Sequence, residues 1–318
     1  MGVGLMRTEF LFLGRTALPD EEEQFSTYRT VLEAFPGHPV VIRTLDIGGD
    51  KPVRGISVPQ EENPFLGLRG IRLCLANPAL FKVQLRALLR AAPYGDLKVM
   101  LPMVSDPAEI EGTRQLIAVC EAELTAEDKA FGSFDLGTMV ETPAAALIAH
   151  DLAAVTAFFS IGTNDLTQYV MAADRMNPSV ASLCRTNHPA VLRAIRMVAQ
   201  AAQAHGIWCG ICGEAASDAS LLQIFLDAGV RELSMAPASI PASSRPSALP
   251  PSPPRLRPLR SDATCPGRPL PGHFSLGTVQ SPDIVWLSAG GMVLNSSCSA
   301  APCPGLHGLP LSHVRSVI

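Results

Sequence analysis

Short apolar runs alternate along the chain with longer segments in which apolar residues recur every three or four positions. The short runs predict strands, and the longer segments predict amphipathic helices. Seven strands are predicted, in chain order LMRTEFLFL, PVVIRTLDI, LKVMLPMV, FDLGTMVET, AFFSIGTNDL, IWCGICGE and ELSMAP. Because strands separated by helices pair in parallel through right-handed crossovers, the pattern indicates an α/β fold.

Helix boundaries carry clear local signals. Asp106, Pro107 and Glu109 have the order of an N-cap, a first-turn proline and a capping-box acid. His188 precedes the proline that opens the helix AVLRAIRMVAQAAQAH, and Gly206 supplies its stop. One face of this helix is apolar and consists of Val191, Ile195, Val198 and Ala202. A last helix, ASLLQIFLDA, is opened by Ser217 or Asp218 and closed by Gly229.

The predicted strands end in polar side chains. These are Arg7 and Glu9, Arg43 and Asp46, Glu141, Asn164 and Asp165, and Glu214. In a (β/α)8 TIM-type barrel the strand ends and following loops form the active-site face. A doubly wound sheet also has sites at strand ends, but no G-x-G-x-x-G opens a helix to hold a dinucleotide. We therefore expect a barrel, with seven strands where eight are usual.

Three arginines, Arg7, Arg43 and Arg175, lie at or beyond predicted strand ends, and Arg69 in NPFLGLRGIR is a fourth candidate. Guanidinium groups match carboxylate and phosphate oxygens in pairs, so converging arginines indicate a small, highly anionic substrate. A solvated surface position or a structural ion pair is the alternative for each of them.

Two acids after separate predicted strands, Glu141 and Asp165, are candidate ligands for a divalent cation. Mg²⁺ takes one or two protein carboxylates, and phosphate oxygens and water complete its octahedron. Helix capping is the alternative role, but it does not account for an Asn-Asp pair that follows the wholly apolar AFFSIG. The pattern favours a metal.

Two cysteines, Cys209 and Cys212, form a C-x-x-C in GIWCGICGE. If this segment is a strand, their odd separation places the two side chains on opposite faces of the sheet. The pair can then form neither a disulfide nor a chelate. A thioredoxin-like motif needs the pair at a helix N-terminus, and zinc needs a second pair. Cys212, nearer the strand end, is expected to face the pocket.

Bulk properties exclude several classes of protein. The chain has 318 residues and a formal charge of −4, which gives no indication of nucleic-acid binding. The first apolar run contains Arg7 and Glu9, unlike a signal peptide, and no run reaches the roughly 18 apolar residues of a membrane span. We expect a cytoplasmic protein with no membrane partner, whose cysteines are reduced.

The composition changes near Pro241. Residues 242–318 contain 13 prolines, 13 serines, no Glu and no Lys. Proline removes backbone donors and clashes with the preceding helical turn, so we expect a disordered or out-of-frame tail after a folded domain at 1–241.

Several ordered motifs resemble one family. They are GLMRTEFLF, RTLDIGGDK, EENPFLGLRGIR, GTMVETPAA, FFSIGTNDLTQY, AADR and GICGE. Over about residues 2–241 they resemble the phosphoenolpyruvate-binding barrel of Enzyme I of the bacterial sugar phosphotransferase system, the phosphoenolpyruvate-protein phosphotransferase. Pyruvate phosphate dikinase and phosphoenolpyruvate synthase share the barrel, but DIGGDK and VETPAA are closer to Enzyme I.

The resemblance implies a role for each candidate residue. Arg7, Arg43 and Arg175, joined by Arg69, would bind the phosphate and carboxylate of phosphoenolpyruvate (PEP). Glu141 and Asp165 would hold Mg²⁺, and the Asn164 side chain and Asp165 backbone would contact the phosphate. Cys212 would protonate the enolate as pyruvate forms.

The resemblance also implies partners that this sequence does not supply. In the family the phosphoryl group passes to a histidine on a separate domain and then to the phosphocarrier protein HPr. None of the seven histidines lies in a segment that resembles that phosphohistidine motif. The first strand-helix unit and the closing helix of the barrel are also expected to be absent. A possible homodimer, a non-catalytic truncated remnant, and the PEP/pyruvate domain of a dikinase or synthase stay open.

Overall fold

The computed structural model describes residues 2–15, 17–48, 53, 55–56, 60–240 and a short strand at 285–286. The strands are β1 Val3–Met6, β2 Pro39–Arg43, β3 Asp96–Leu101, β4 Asp135–Val140, β5 Phe158–Gly162, β6 Trp208–Cys212, β7 Glu232–Leu233 and β8 Val285–Trp286. The helices are α1 Glu21–Ala34, α2 Ile71–Ala76, α3 Pro78–Ala91, α4 Pro107–Ala126, α5 Pro143–Leu147, α6 Ala149–Ala153, α7 Thr163–Met171, α8 Pro189–His205 and α9 Ala219–Ala228.

The strands form one sheet in chain order, and every neighbouring pair is parallel. The seven strands predicted before Pro241 are confirmed, as is the parallel α/β barrel architecture. Among the described strands, β1 and β8 lie at the two ends of the sheet, so the barrel is not closed by a pairing between them. The predicted tail at 242–318 lies outside the described residues except for β8, which pairs with β7.

All seven predicted strands are shorter than the sequence pattern indicates, and the early ends of β1 and β5 bear on the site. β1 ends at Met6, and Glu9–Leu11 forms a 3-10 turn. The Thr8 hydroxyl donates to the carbonyl of Arg43 at 3.0 Å, which holds this turn against the end of β2. β5 ends at Gly162, because α7 begins immediately at Thr163. Asp165 therefore lies in the first turn of a helix instead of on a strand.

Along each strand the side chains point alternately to the two faces of the sheet, and each face carries its own apolar cluster. The inner cluster contains Val41, Met100, Met139, Phe158 and Cys212. The ring of Phe158 stacks on Trp208 with centroids 4.4 Å apart and planes within 3°. The outer, larger cluster packs the other face of the strands against the helices. Filling of the inner face by side chains is the usual state of a small parallel barrel.

The predicted helix boundaries are confirmed. Asp106 accepts from the backbone N–H of Ala108 at 2.8 Å, and Glu109 completes the capping box. His188 Nδ1 accepts from Ala190 N–H at 3.2 Å, and Gly206 ends α8 with a φ of 70°. The predicted apolar face of α8 is buried. Within the described part of the chain, every helix is too short or too polar to cross a bilayer.

Candidate functional site

The carboxyl ends of the strands bring most of the predicted site residues together. Arg43 is the last residue of β2, Glu141 directly follows β4, and Cys212 is the last residue of β6. Asn164 and Asp165 lie in the first turn of α7, which leaves the end of β5. Since the strands are parallel, these positions share one end of the barrel.

Asp46 lies at the centre of a buried ion-pair network. Its carboxylate is 3.0 Å from Arg43 Nη1, and Arg69 donates to both of its oxygens at 2.9 to 3.2 Å. The side chain of Asp46 is 1% exposed. Bidentate, charge-assisted bonds of this kind fix the planes of the guanidinium groups. Asp46 therefore orients two of the four predicted arginines.

The Arg43 guanidinium is held on two further sides. Nη2 donates to Glu9 Oε1 at 3.1 Å, and Nη1 contacts the sulfur of Met139 at 3.6 Å. Its Nε is buried without a hydrogen-bond partner in the described part of the chain. Burial by itself lowers the pKa of Arg43, but the carboxylates of Glu9 and Asp46 outweigh it and raise this pKa. The group is a permanent cation with one unused donor.

Arg69 links Asp46 to the metal candidate Asp165. Nη2 lies 3.4 Å from Asp165 Oδ2, and Nη1 donates to the Tyr169 hydroxyl at 3.3 Å. Burial lowers the pKa of Arg69, and the nearby carboxylates, led by Asp46, raise it by more. Burial also raises the pKa of Tyr169, to about 12, so this hydroxyl stays neutral.

Arg175 pairs with Asp165 on the more exposed side of the network. Its Nη1 lies 3.0 Å from Asp165 Oδ1. The angles between the two groups do not fit a hydrogen bond. Both Arg175 Nη1 and Asp165 Oδ1 are buried, and neither has a hydrogen-bond partner among the described residues. Arg175 is 32% exposed and lies over the ring of Phe65, 5.7 Å from its centroid. A donor and an acceptor are therefore adjacent at this point, each without a hydrogen-bond partner.

Glu141 is a second fully buried carboxyl of the group, at 1% exposure. Its Oε1 accepts from the backbone N–H of Met103 at 2.7 Å. The other oxygen lies against Gly162, 2.7 Å from the position that a Cβ would take there. Burial, followed by the charges of Asp165 and Asp46, raises the pKa of Glu141. A cation in this position would lower it again.

The two cysteines of the C-x-x-C lie on opposite faces of β6, as predicted. Cys209 packs in the outer cluster with the helices, and Cys212 packs in the inner cluster. Both are free thiols. The thiol of Cys212 donates to the carbonyl of Ile161 at 3.6 Å, and burial raises its pKa to about 12. Cys212 therefore carries its proton at neutral pH.

Asn164 closes the site on the side of β6. Its Oδ1 accepts from the backbone N–H of Glu214 at 3.2 Å, and the Thr163 hydroxyl donates to the carbonyl of Cys212 at 2.8 Å. Gly213 lies between them with a φ of 100°, and a Cβ there would come within 2.5 Å of Thr163 Oγ1. Only glycine fits this conformation and this space.

Arg7 is the predicted site residue that the structure does not bring into the network. It follows β1, is exposed, and makes no ion pair to another described residue. Glu9, Asp46 and Tyr169 are site residues to which the sequence pattern assigned no role. The available signals were the strand-end positions of the two acids and the four-residue spacing of Tyr169 from Asp165, which places both on one face of α7.

Two open surface cavities of the described chain lie away from this site. One of about 420 Å³ lies between α4 and the end of α6, and one of about 280 Å³ is lined by aromatic and basic residues near Tyr94. Neither is lined by the strand-end group, whose interior is filled by its own ion pairs. The described residues also contain no group of three or more His, Cys, Asp or Glu arranged for a metal. A cation here would use two carboxylates at most.

Comparison with known proteins identifies the chain's relatives. Residues 1–247 match the family described as PEP-utilising enzyme, PEP-binding domain. A phosphoenolpyruvate-protein phosphotransferase of Priestia megaterium is 50% identical over 240 residues, which are 75% of this chain and 42% of that protein. Proteins of the same name from Bacillus subtilis and Haloferax volcanii are 49% and 52% identical, over 75% and 76% of this chain and 42% and 43% of theirs.

The chain spans about two fifths of the length of these curated relatives, as the covered shares of 42% and 43% show. A solved malate synthase of Haloferax volcanii has a TM-score of 0.46 at 14% identity, over 74% of this chain and 62% of that one. That likeness is too slight to indicate function. The family match covers most of the chain, and the chain belongs to the PEP-utilising enzyme family through its PEP-binding domain.

Proposed function

We propose that residues 1–241 are the PEP-binding catalytic barrel of a phosphoenolpyruvate-protein phosphotransferase. The reaction transfers the phosphoryl group of PEP to a histidine and releases pyruvate. The observation that carries the proposal is the convergence of Arg43, Asp165 and Cys212 at one end of the barrel. Arg43 Nε there is buried without a hydrogen-bond partner among the described residues, and Arg175 Nη1 and Asp165 Oδ1 are buried with only their mutual 3.0 Å ion pair.

The unused donors suit the oxygens of PEP. Arg43 Nε is buried without a hydrogen-bond partner among the described residues, and such an atom costs free energy unless a ligand engages it. Arg175 Nη1 is buried with only its ion pair to Asp165. Arg69, which pairs with Asp46 and Asp165, adds positive charge to the site, and Arg7, exposed beyond the end of β1, would join them when PEP binds. Phosphoryl transfer depends mainly on positioning and on neutralisation of charge, which these cations supply.

Glu141 and Asp165 would hold Mg²⁺. Asp165 Oδ1 is buried and accepts no hydrogen bond in the described part of the chain, and its one charged partner there is Arg175, at 3.0 Å. A hard cation would replace that contact. A bound Mg²⁺ would neutralise the phosphate oxygens and the charge that builds up on them. The side chain of Asn164 and the backbone of Asp165 contact the phosphate at the start of α7, where the helix dipole favours anions.

Cys212 donates the proton that converts the enolate into pyruvate. The thiol is buried at 2% exposure and faces the barrel interior. Its pKa of about 12 keeps the proton on sulfur until a stronger base, the enolate carbon, develops beside it. Cys209 is outside this chemistry because it packs against the helices.

The partners belong to the same proposal. The acceptor histidine lies on a separate domain, from which the phosphoryl group passes to the phosphocarrier protein HPr in the cytoplasm. The relatives of the same name are more than twice as long as the matched segment, which leaves room for such a domain in them. A homodimer formed through the barrel is a further part of the proposal.

Exchange of the methyl hydrogens of pyruvate in D₂O tests the proton-transfer step without the acceptor histidine. The barrel with Mg²⁺ should accelerate this exchange increasingly as the pD is raised, because the reverse step needs the thiolate of Cys212, which forms only as the pD approaches the raised pKa of the thiol, to remove a methyl hydrogen. Proton NMR follows the loss of the methyl signal. Cys212→Ala should abolish the acceleration, and Cys209→Ala should retain it.

Equal loss in the two variants would contradict the assignment of Cys212. A folded wild-type chain without any acceleration would favour a non-catalytic remnant.

A further inference from the structure

One aromatic ring, that of Phe65, contacts two of the arginines at the strand-end site. The guanidinium carbon of Arg69 lies 5.9 Å from the ring centroid, and that of Arg175 lies 5.7 Å from it. Both distances fall within the roughly 6 Å over which the face of an aromatic ring attracts a cation. The ring therefore stabilises two like charges at the same place.

The two guanidinium groups are held to different degrees. Arg69 is 3% exposed and donates three hydrogen bonds to Asp46. Arg175 is 32% exposed, and its guanidinium donates no hydrogen bond to the described residues. Its contacts there are the 3.0 Å ion pair with Asp165 and the ring of Phe65. The position of the Arg175 guanidinium thus depends on one carboxylate and one ring.

The carboxylate that pairs with Arg175 is also a proposed ligand of Mg²⁺. Asp165 Oδ1 faces Arg175 and accepts no hydrogen bond in the described part of the chain. If this carboxylate binds a divalent cation, its negative charge is shared with the metal and its attraction for Arg175 becomes weaker. The ring of Phe65 is then the remaining contact that keeps the Arg175 guanidinium in place.

The backbone that carries Phe65 is fastened to two helices. Phe65 lies in a 3-10 turn, Pro64–Leu66, which we call the Phe65 turn. The Tyr169 hydroxyl on α7 donates to the carbonyl of Phe65. Arg72 on α2 donates to the carbonyl of Leu66 at 3.1 Å. The Phe65 turn is therefore fixed although the Leu66 side chain within it is 64% exposed.

We propose that Phe65 is a positioning residue for PEP binding. Its ring holds the Arg175 guanidinium in place while Asp165 is engaged by Mg²⁺, and Tyr169 holds the Phe65 turn. The inference rests on the proposed function, because it concerns the same PEP site. Phe65 acts through Arg175, and it makes no bond to the reacting atoms.

Titration calorimetry of the full chain with PEP tests the proposal, with Mg²⁺ present and with the metal removed by EDTA. Phe65→Leu keeps an apolar side chain but loses the aromatic face. It should bind PEP at least fivefold more weakly than the wild type with Mg²⁺, and less than twofold more weakly without it. A fivefold change corresponds to about 1 kcal/mol, which is the size of one cation–π contact.

Two further variants serve as controls for Phe65→Leu. Phe65→Tyr keeps the ring and should bind PEP within twofold of the wild type. Leu66→Ala changes the neighbouring side chain of the Phe65 turn, which is 64% exposed, and should also bind PEP within twofold. The two controls separate the aromatic face from the general integrity of the turn.

Tyr169→Phe is an independent variant, because it removes the donor to the Phe65 carbonyl and keeps a ring at 169. It should bind PEP at least threefold more weakly with Mg²⁺ and lose less affinity without the metal. If Phe65→Leu does not fold, Tyr169→Phe is the deciding variant.

Three results would overturn the positioning role. The first is wild-type affinity for PEP in Phe65→Leu with Mg²⁺. The second is an equal loss of affinity with and without Mg²⁺, or an equal loss in Leu66→Ala, which would indicate a general structural role. The third is binding as weak in Phe65→Tyr as in Phe65→Leu. Failure of the proposed function gives a different pattern, in which the wild type itself binds no PEP or binds it equally well without Mg²⁺.

Discussion

Replacement of Asp46 by asparagine should destabilise the folded chain more than any other single loss of charge in the site. Asp46 makes a 3.0 Å ion pair with Arg43 and accepts three hydrogen bonds from Arg69. The amide keeps the shape but removes the charge, so two buried guanidinium groups lose their shared counter-ion. In the variant, Arg43 would still have its 3.1 Å ion pair with Glu9. The one ion pair left to Arg69 would be its 3.4 Å contact with Asp165.

The size of the effect follows from the cost of breaking a buried pair, roughly 3 to 5 kcal/mol when one partner is removed. The asparagine oxygen still accepts one bond from Arg69, so we expect a loss of about 3 kcal/mol in the free energy of unfolding. Urea denaturation followed by tryptophan fluorescence measures it. The matched control is Asp135→Asn, which removes an ion pair to Lys98 with 54% of the Asp135 side chain exposed and should cost less than about 1 kcal/mol. Equal losses in the two variants would refute the central role of Asp46.

Three further predictions concern backbone strain, pH and metal. Gly213→Ala should lower the free energy of unfolding by about 1 to 3 kcal/mol and weaken PEP binding measured by titration calorimetry, because the new methyl group meets Asn164. The control is Gly206→Ala, where φ is 70° but no atom lies within 4 Å, and it should leave PEP binding unchanged. Burial raises the pKa of Glu232 from 4.5 to about 8, so its contribution to stability is present below pH 4.5 and is lost as pH rises through 8. In urea titrations at several pH values, Glu232→Gln should therefore lose less of its free energy of unfolding between pH 4.5 and 8 than the wild type does, and identical pH profiles of the two proteins would contradict this prediction. Asp165→Asn should weaken the Mg²⁺-dependent part of PEP binding at least tenfold in titration calorimetry, and unchanged Mg²⁺ dependence would exclude this acid as a ligand.

Local signals predicted the parts of the structure that depend on one segment. The capping box at Asp106 and the αL stop at Gly206 depend on a few adjacent residues, and both are present. The opposite placement of Cys209 and Cys212 follows from strand parity alone. The parallel order of the strands followed from their alternation with helices.

Features that depend on long-range geometry could not be predicted in the same way. Asp46 and Arg69 are 23 residues apart, and their pairing depends on the path of the chain between β2 and α2. The predicted fifth strand, AFFSIGTNDL, included Asp165, but β5 ends at Gly162 and the chain turns directly into α7. Arg7 was grouped with the other arginines because of its strand-end position, yet its neighbours Thr8 and Glu9 are the ones that contact Arg43.

The most direct test of the central claim is titration calorimetry of the full chain with PEP, in the presence and absence of Mg²⁺. We expect one PEP site per chain, at least tenfold tighter with Mg²⁺, that is lost in Arg69→Gln and retained in Arg114→Gln on the outer surface of α4. A folded, monodisperse wild-type protein that binds no PEP, or binds it equally well without Mg²⁺, would contradict the account.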